Sequence, residues 1–303
     1  MSGRQRAGAA TRAPDTEVGP AELAARYGLT VSGSRPGPAV YGRRLWSRRH
    51  FIAAFATARL NAMHTGARLG GLWQVITPLL NAAVYYLVFG LLLGTRHGTH
   101  GFVPFLCTGV FVFGFTQSAV LAGTRAVQGN LALIRALHFP RACLPLASTL
   151  LQLQQLLFSM AVLMVIVVAS GEPVTARWLL VVPVLAAQSA FNAGLAMAVA
   201  RIGARETDAA QLMPFAMRTW MYASGVFYDL RGLTEHAPGW AAALLNANPA
   251  LLFIDLMRYA LMDSVPRSGL PAHAWPLVLA WTAAVGAGGY LFFWQAEKEY
   301  GRG

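Results

Sequence analysis

Lysine is nearly missing from this chain. Of 24 Lys and Arg residues only one is lysine, Lys298 in "EKEY". A phosphate-cradling loop of the Walker type needs Gly-Lys followed by Ser or Thr, so the chain has no such route to ATP hydrolysis. Charge of either sign is also scarce. Only 12% of residues are Asp, Glu, Lys or Arg and 56% are hydrophobic, whereas a soluble domain is about 25% charged. Too few charges remain to cover a surface facing water. Cysteine is limited to Cys107 and Cys143, too few for a disulfide framework and placed in or beside apolar runs, where a thiol is a small core side chain. The first forty residues contain no apolar core of the kind a cleaved secretory signal needs, so none is expected. His97 and His100 in "TRHGTHG" lack a third ligand nearby, so they read as a polar loop rather than a metal site.

What is present is long uncharged sequence. No Asp, Glu, Lys, Arg or His falls within 69–95, 101–124, 142–171, 178–200 or 274–296. Each window exceeds the ~20 apolar residues that cross the ~30 Å hydrocarbon layer. In that solvent backbone amides are satisfied within their own segment, which requires helices. A barrel would alternate apolar and polar residues, and "LLFSMAVLMVIVVAS" does not. The predicted fold is an all-α membrane protein with six transmembrane helices, over about 71–94, 102–124, 143–169, 178–200, 209–228 and 275–296. Eighteen Arg and Lys flank these spans on the side bearing both termini and five on the other. That asymmetry predicts cytoplasmic termini in a multi-pass protein of the cytoplasmic (inner) membrane. The net charge of +12 follows from this topology and from anionic lipid; nucleic acid is not needed to explain it.

Residues 1–42 read as a disordered cytoplasmic tail, 43–69 as an amphipathic helix, 70–298 as the six-helix domain and 299–303 as a cytoplasmic C-terminus. At about 100° per residue Leu45, Ile52, Phe55, Leu60 and Met63 share one arc, and His50, Thr57, Asn61, His64 and Arg68 lie opposite. A basic helix of this kind lies in the headgroup plane. Arg218 stands alone in the middle of the fifth span, where a charge costs on the order of 3 kcal/mol and demands protein or water beside it. Between spans five and six, "APGWAAALLNANPALLFI" is uncharged but interrupted at Asn246–Pro249, where proline breaks a helix. Two short re-entrant helices follow, carrying Asn248, Pro249, Asp255 and Arg258. The six spans hold no acid, which tells against proton-coupled transport and intramembrane catalysis. No catalytic residue, metal ligand or bound cofactor is predicted.

Residues 125–142 connect spans two and three through "IRALHFPRACLP", a basic elbow with Pro140 as its stop. A rigid helix here can pass a push from a soluble partner into the membrane. With "LGGLWQVITPLL", "NLALIRALHFPRACLPLAS", "FYDLRGL" and "NPALLFIDLMRYAL" in this order, residues 43–298 resemble the permease subunit of ABC type-2 exporters, in the branch that exports polysaccharide, O-antigen and teichoic acid. The resemblance implies a homodimer of permeases on two copies of an ABC ATPase, which hold the ATP and Mg, and a lipid-linked glycan as cargo. It assigns ATPase coupling to Asn130, Arg135, His138, Phe139, Pro140 and Arg141, with Glu206 and Asp208 at a second contact. It makes 43–69 a gate helix, with His64, Arg68 and Trp73 near the headgroup; Met63 and His64 stand where the family often has Arg-Tyr. Arg218, Trp220, Tyr222, Phe227 and Tyr228 are channel candidates, as are Tyr85, Tyr86, Phe111, Phe113 and Phe115, because aromatic faces pack on pyranose rings. A drug or lipid exporter of the same superfamily, a membrane-embedded glycosyl- or acyltransferase, and a passive scaffold are the alternatives.

Overall fold

The computed structural model describes residues 26–27, 36–63, 72–88, 101–137, 139–228, 238–267, 270–271, 273–297 and 299–300. The chain divides into two units, Met1–Pro36 and Gly37–Gly303, and the architecture below is that of the second.

Its α-helices are α1 (Pro38–Ser47), α2 (Arg49–Ala62), α3 (Trp73–Tyr85), α4 (Phe102–Thr124), α5 (Leu131–Ala136), α6 (Cys143–Ala169), α7 (Val181–Arg205), α8 (Ala209–Tyr222), α9 (Gly239–Asn246), α10 (Pro249–Leu261) and α11 (Ala274–Gln295). A 3₁₀ turn precedes α5 and another precedes α7. No strand occurs among the described residues. Proline starts several of these helices: Pro104, Pro145, Pro183, Pro249 and Pro276 all fall in first turns. The amide that proline lacks has no intrahelical partner there, so the helix loses nothing.

Four helical stretches, Phe102–Thr124, Cys143–Ala169, Ala176–Arg205 and Ala274–Gln295, are long and apolar enough to cross a bilayer. At 1.5 Å per residue each spans more than the ~30 Å hydrocarbon layer. Their ends alternate. Gly203 of α7 lies against Thr124 at the end of α4, and Arg205 pairs with Glu299 after α11. At the opposite end Glu172, after α6, accepts from the Asp263 amide at 2.8 Å, and Arg177 pairs with Asp263 at 3.1 Å. Residues near 38 and 297 therefore lie at the same end of the bundle, with the elbow.

The other two predicted spans are described only in part or are shorter helices. Helix α3 reaches Tyr85, with a wider turn through Val88, and residues 89–100 lie outside the described residues. Helix α8 stops at Tyr222 rather than 228, after 14 residues, about 21 Å of rise. Its stop has a cause: Gly225 takes a positive φ of 61°, and the carbonyls of Gly225 and Val226 turn to the Arg258 guanidinium. The predicted amphipathic helix is two helices, broken at Arg48. Two short helices do follow α8, separated at Ala247–Asn248, with Asn248 capping α10 through Ala250 N at 3.1 Å.

Helices pack through missing side chains. A Cβ on Gly289 of α11 would overlap the Gly194 carbonyl of α7, and one on Gly194 would overlap the Val285 carbonyl. Farther along α7 a Cβ on Gly203 would overlap the Thr124 carbonyl, while one on Gly123 would sit 2.8 Å from the Ala196 Cα. In lipid, where apolar surface gains nothing by leaving water, such close backbone approach is the chief source of helix association. Of the four long spans α4 lies deepest, with Leu106, Val112, Phe113 and Ala119 enclosed by α6, α7, α8 and α10.

Candidate functional site

The elbow is short but firmly held. Leu137 takes extended backbone and ends α5 after six residues. Ile134 is the side chain it sinks into a cluster with Tyr41, Leu144, Met197, Phe293 and Tyr300. Three attachments then fix the elbow to other parts of the chain. Arg59 of α2 donates to Asn130 Oδ1 at 3.0 Å, and Asn130 Nδ2 donates to the Ala126 carbonyl at 2.7 Å. The Phe51 and Phe139 rings lie 5.4 Å apart. After Pro140, the Arg141 amide donates to Glu297 Oε1 at 3.0 Å, and its guanidinium reaches the Glu297 carbonyl.

Tyr41 completes this last node. Its hydroxyl donates to Glu297 Oε2 at 2.7 Å and accepts from the Ala142 amide at 3.1 Å. One carboxylate thus joins α1, the start of α6 and the end of α11. Burial pushes the Glu297 carboxyl above the usual carboxylate range, against the pull of its donors at Arg141 and Tyr41. Burial, then the Glu297 charge, raise the Tyr41 phenol as well.

Helix α2 is the neighbouring part. Ala56 and Leu60 are buried against Ala147 and Leu151 of α6, with Ile52 and Phe55 packed alongside, and Gln154 donates to Thr57 at 3.0 Å. Much of the apolar arc is therefore covered by span three rather than by headgroups. Two facing alanines, Ala56 and Ala147, make the approach possible.

Above α2 a cavity of about 470 Å³ opens between α3, α4 and α6, with Met63 and Met221 at its edge. Thr77 and Asn81 face it from α3, Gln117 and Ser118 from α4, and Gln152, Gln155 and Ser159 from α6. Trp73, Phe111, Phe113 and Phe115 supply its aromatic wall. No charged residue is among the described residues lining it.

The predicted residues fall into separate groups. Asn130, Phe139, Pro140 and Arg141 sit together on the elbow. Arg135 is exposed there, Glu206 and Asp208 are exposed at the same end, and His138 lies outside the described residues. His64 and Arg68 also lie outside them, while Trp73 opens α3 at the cavity. The channel candidates diverge. Arg218 and Tyr222 share the exposed face of α8. Trp220 points inward, edge-on to Phe113 at 5.9 Å and donating to Asn248 Oδ1 at 2.9 Å. Phe227 is buried; Tyr228 is exposed and bonds back to the Tyr222 carbonyl. Tyr86 packs partly buried against the core. Arg258 is 2% exposed, bridging Asp255 at 3.4 Å and the carbonyls of Phe105, Gly225 and Val226 at 3.0–3.3 Å. It works as a brace on the end of α8.

Sequence reasoning passed over Tyr41, Glu297 and the α6 glutamines. The last carried a signal, because "LQLQQLLFSM" places three amides inside an otherwise apolar span.

The chain is 24% identical over 247 residues to the O-antigen export system permease protein RfbA of Myxococcus xanthus, covering 80% of this chain and 93% of that protein. It is 22% identical over 207 residues to a protein of the same name from Klebsiella pneumoniae, covering 68% and 78%. The family model described as ABC-2 type transporter matches residues 52–262, from within α2, across the elbow and the cavity, to the end of α10. The chain belongs to the ABC-2 type transporter family.

Proposed function

We propose that this chain is the permease subunit of an ATP-driven exporter that carries a lipid-linked polysaccharide outward across the cytoplasmic membrane. Two copies work as a homodimer on two ATPase subunits, which supply the ATP and Mg sites. The observation that carries this reading is the three-way attachment of the elbow. A soluble ATPase pressing on Leu131–Ala136 moves α2 through Arg59 and Phe51, and moves α1 and α11 through the Glu297 node. Helix-borne contacts transmit such motion as rigid bodies. The names of the relatives supply the glycan class. Exposed Arg135, Glu206 and Asp208 at the elbow end offer charges of both signs for the ATPase surface. Arg218, exposed on α8 among the described residues, belongs against water or the second copy, since lipid would penalise it.

The test is deletion of the gene and complementation in its own host. Loss of surface glycan with accumulation of its lipid-linked form inside the cell is the expected result. Rescue should need both this chain and an ATPase with an intact Walker lysine. Unchanged surface glycan in the deletion strain, or rescue with a disabled ATPase, refutes the proposal.

A further inference from the structure

We infer that the cavity between α3, α4 and α6 is a binding site for the uncharged sugar rings of the cargo, gripping a short stretch of glycan by its hydroxyls. The inference rests on the export reading above and adds the site and the residues.

Hydrogen-bond supply points to the occupant. Gln152 and Gln155 lie nine and twelve residues into α6, about 14–18 Å along a span about 40 Å long. Asn81 and Gln117 face them from α3 and α4. Each amide offers one acceptor and two donors, and Ser118 adds a hydroxyl. Among the described residues the side chains of Asn81, Gln117, Ser118 and Gln152 make no hydrogen bond, and Gln155 has only a long contact of 3.9 Å to the Met63 sulfur. Elsewhere in the bundle Thr108 and Thr149 bond back to their own helices and Gln188 donates to the Val112 carbonyl and Thr116, although Gln188 Oε1 and both amide atoms of Asn192 are buried without partners among the described residues. Amides facing hydrocarbon without partners are costly. A wall of them on three helices, around one space, implies an occupant that is wet or polar.

The occupant's class follows from what the described wall offers. No charged residue is among its described lining residues, so the described wall offers a diphosphate or a cationic drug no counter-ion. An acyl chain would leave the amides unpaired. A pyranose hydroxyl both donates and accepts, matching amides and serine, and its ring face matches Trp73, which lies at the same cavity. The volume of about 470 Å³ suits a few sugar residues, within the range of small-molecule sites.

The experiment has two readouts. In the host, the Gln152→Leu/Gln155→Leu double variant, present in the membrane at wild-type level, should export surface glycan at least tenfold more slowly. The matched Gln152→Asn/Gln155→Asn variant should keep more than half of the wild-type rate. Export by the leucine variant at the wild-type rate overturns the inference. In parallel the wild-type permease–ATPase complex in lipid nanodiscs is titrated with the neutral oligosaccharide maltoheptaose by saturation-transfer NMR. Transfer to the sugar protons, undiminished by excess inorganic pyrophosphate, is expected. No transfer, or transfer abolished by pyrophosphate, overturns the inference even if the leucine variant fails to fold. The deletion strain separates the two readings. Glycan still displayed without this chain refutes the export reading, whereas normal deletion behaviour with indifferent groove variants refutes this site alone.

Discussion

Tyr41→Phe isolates the node that ties the elbow down. Phenylalanine keeps the ring, which is 2% exposed, and its tilted contact with Tyr290 at 6.0 Å; only the hydroxyl goes. Two bonds go with it. Glu297 Oε2 loses a donor at 2.7 Å, a bond to a charged acceptor worth about 1.5–3 kcal/mol. The Ala142 amide loses its acceptor at 3.1 Å, and a buried orphan costs about 1–3 kcal/mol. Glu297 keeps the Arg141 amide and is itself only half-buried, so the sum falls near the low end, about 3 kcal/mol. Divided by 1.36 kcal/mol per tenfold, that raises the population with a detached elbow about 100-fold. Amide hydrogen exchange over Leu131–Arg141 in nanodiscs measures it directly, because exchange follows local opening. The expected result is exchange about 100-fold faster there, with α7 and α11 unchanged. Tyr290→Phe, which removes one bond to the Pro38 carbonyl at 2.6 Å, is the control and should leave the elbow's exchange unaltered. Elbow exchange within a factor of about three of wild type in Tyr41→Phe would refute the reasoning.

Three further outcomes can be measured by thermal unfolding of the purified protein. Glu297→Gln should flatten the pH dependence: the native carboxyl holds its proton to higher pH than the unfolded chain does, so stability present below the usual carboxylate range is lost as pH rises through the raised value. Unfolding midpoints of wild type and variant from about pH 4 to about pH 8 should therefore converge at the acid end and part above it. Arg258→Met strands three buried carbonyls, at Phe105, Gly225 and Val226, and one carboxylate; it should cost about 3–5 kcal/mol, and a midpoint like that of wild type would count against the brace. Gly289→Leu should abolish folded protein, whereas Gly286→Ala, whose Cβ would lie 3.8 Å from the Ala190 carbonyl, should be tolerated; equal yields of the two would discount the backbone contact.

How much could be read in advance depended on whether the cause was local. Charge-free windows located α4, α6, α7 and α11 to within a few residues, because both hydrocarbon thickness and helix rise are fixed. The break at Asn248–Pro249 was equally visible, since proline acts on its own neighbours. The end of α8 was not, because it depends on Arg258, 32 residues beyond Val226. Covering of the α2 arc was missed because periodicity shows that a face is apolar, and Ala56 against Ala147 decides what meets it. The Glu297 node joins residues 256 positions apart, a distance no pattern registers. At the cavity the aromatic residues were noticed and the amides were not, although glutamine in a span is the rarer signal.

The glycine seam between α7 and α11 limits how this machine can work. Side chains that touch can slip between rotamers and absorb a slide; bare peptide planes in contact have no such play. The two helices therefore travel as one beam, and the beam is fastened to the Glu297 node at its end. Movement that opens a passage falls more readily to helices that show no such weld among the described residues, α3, α6 and α8 among them. Helix α8 carries the exposed Arg218, and α3 and α6 carry walls of the amide cavity.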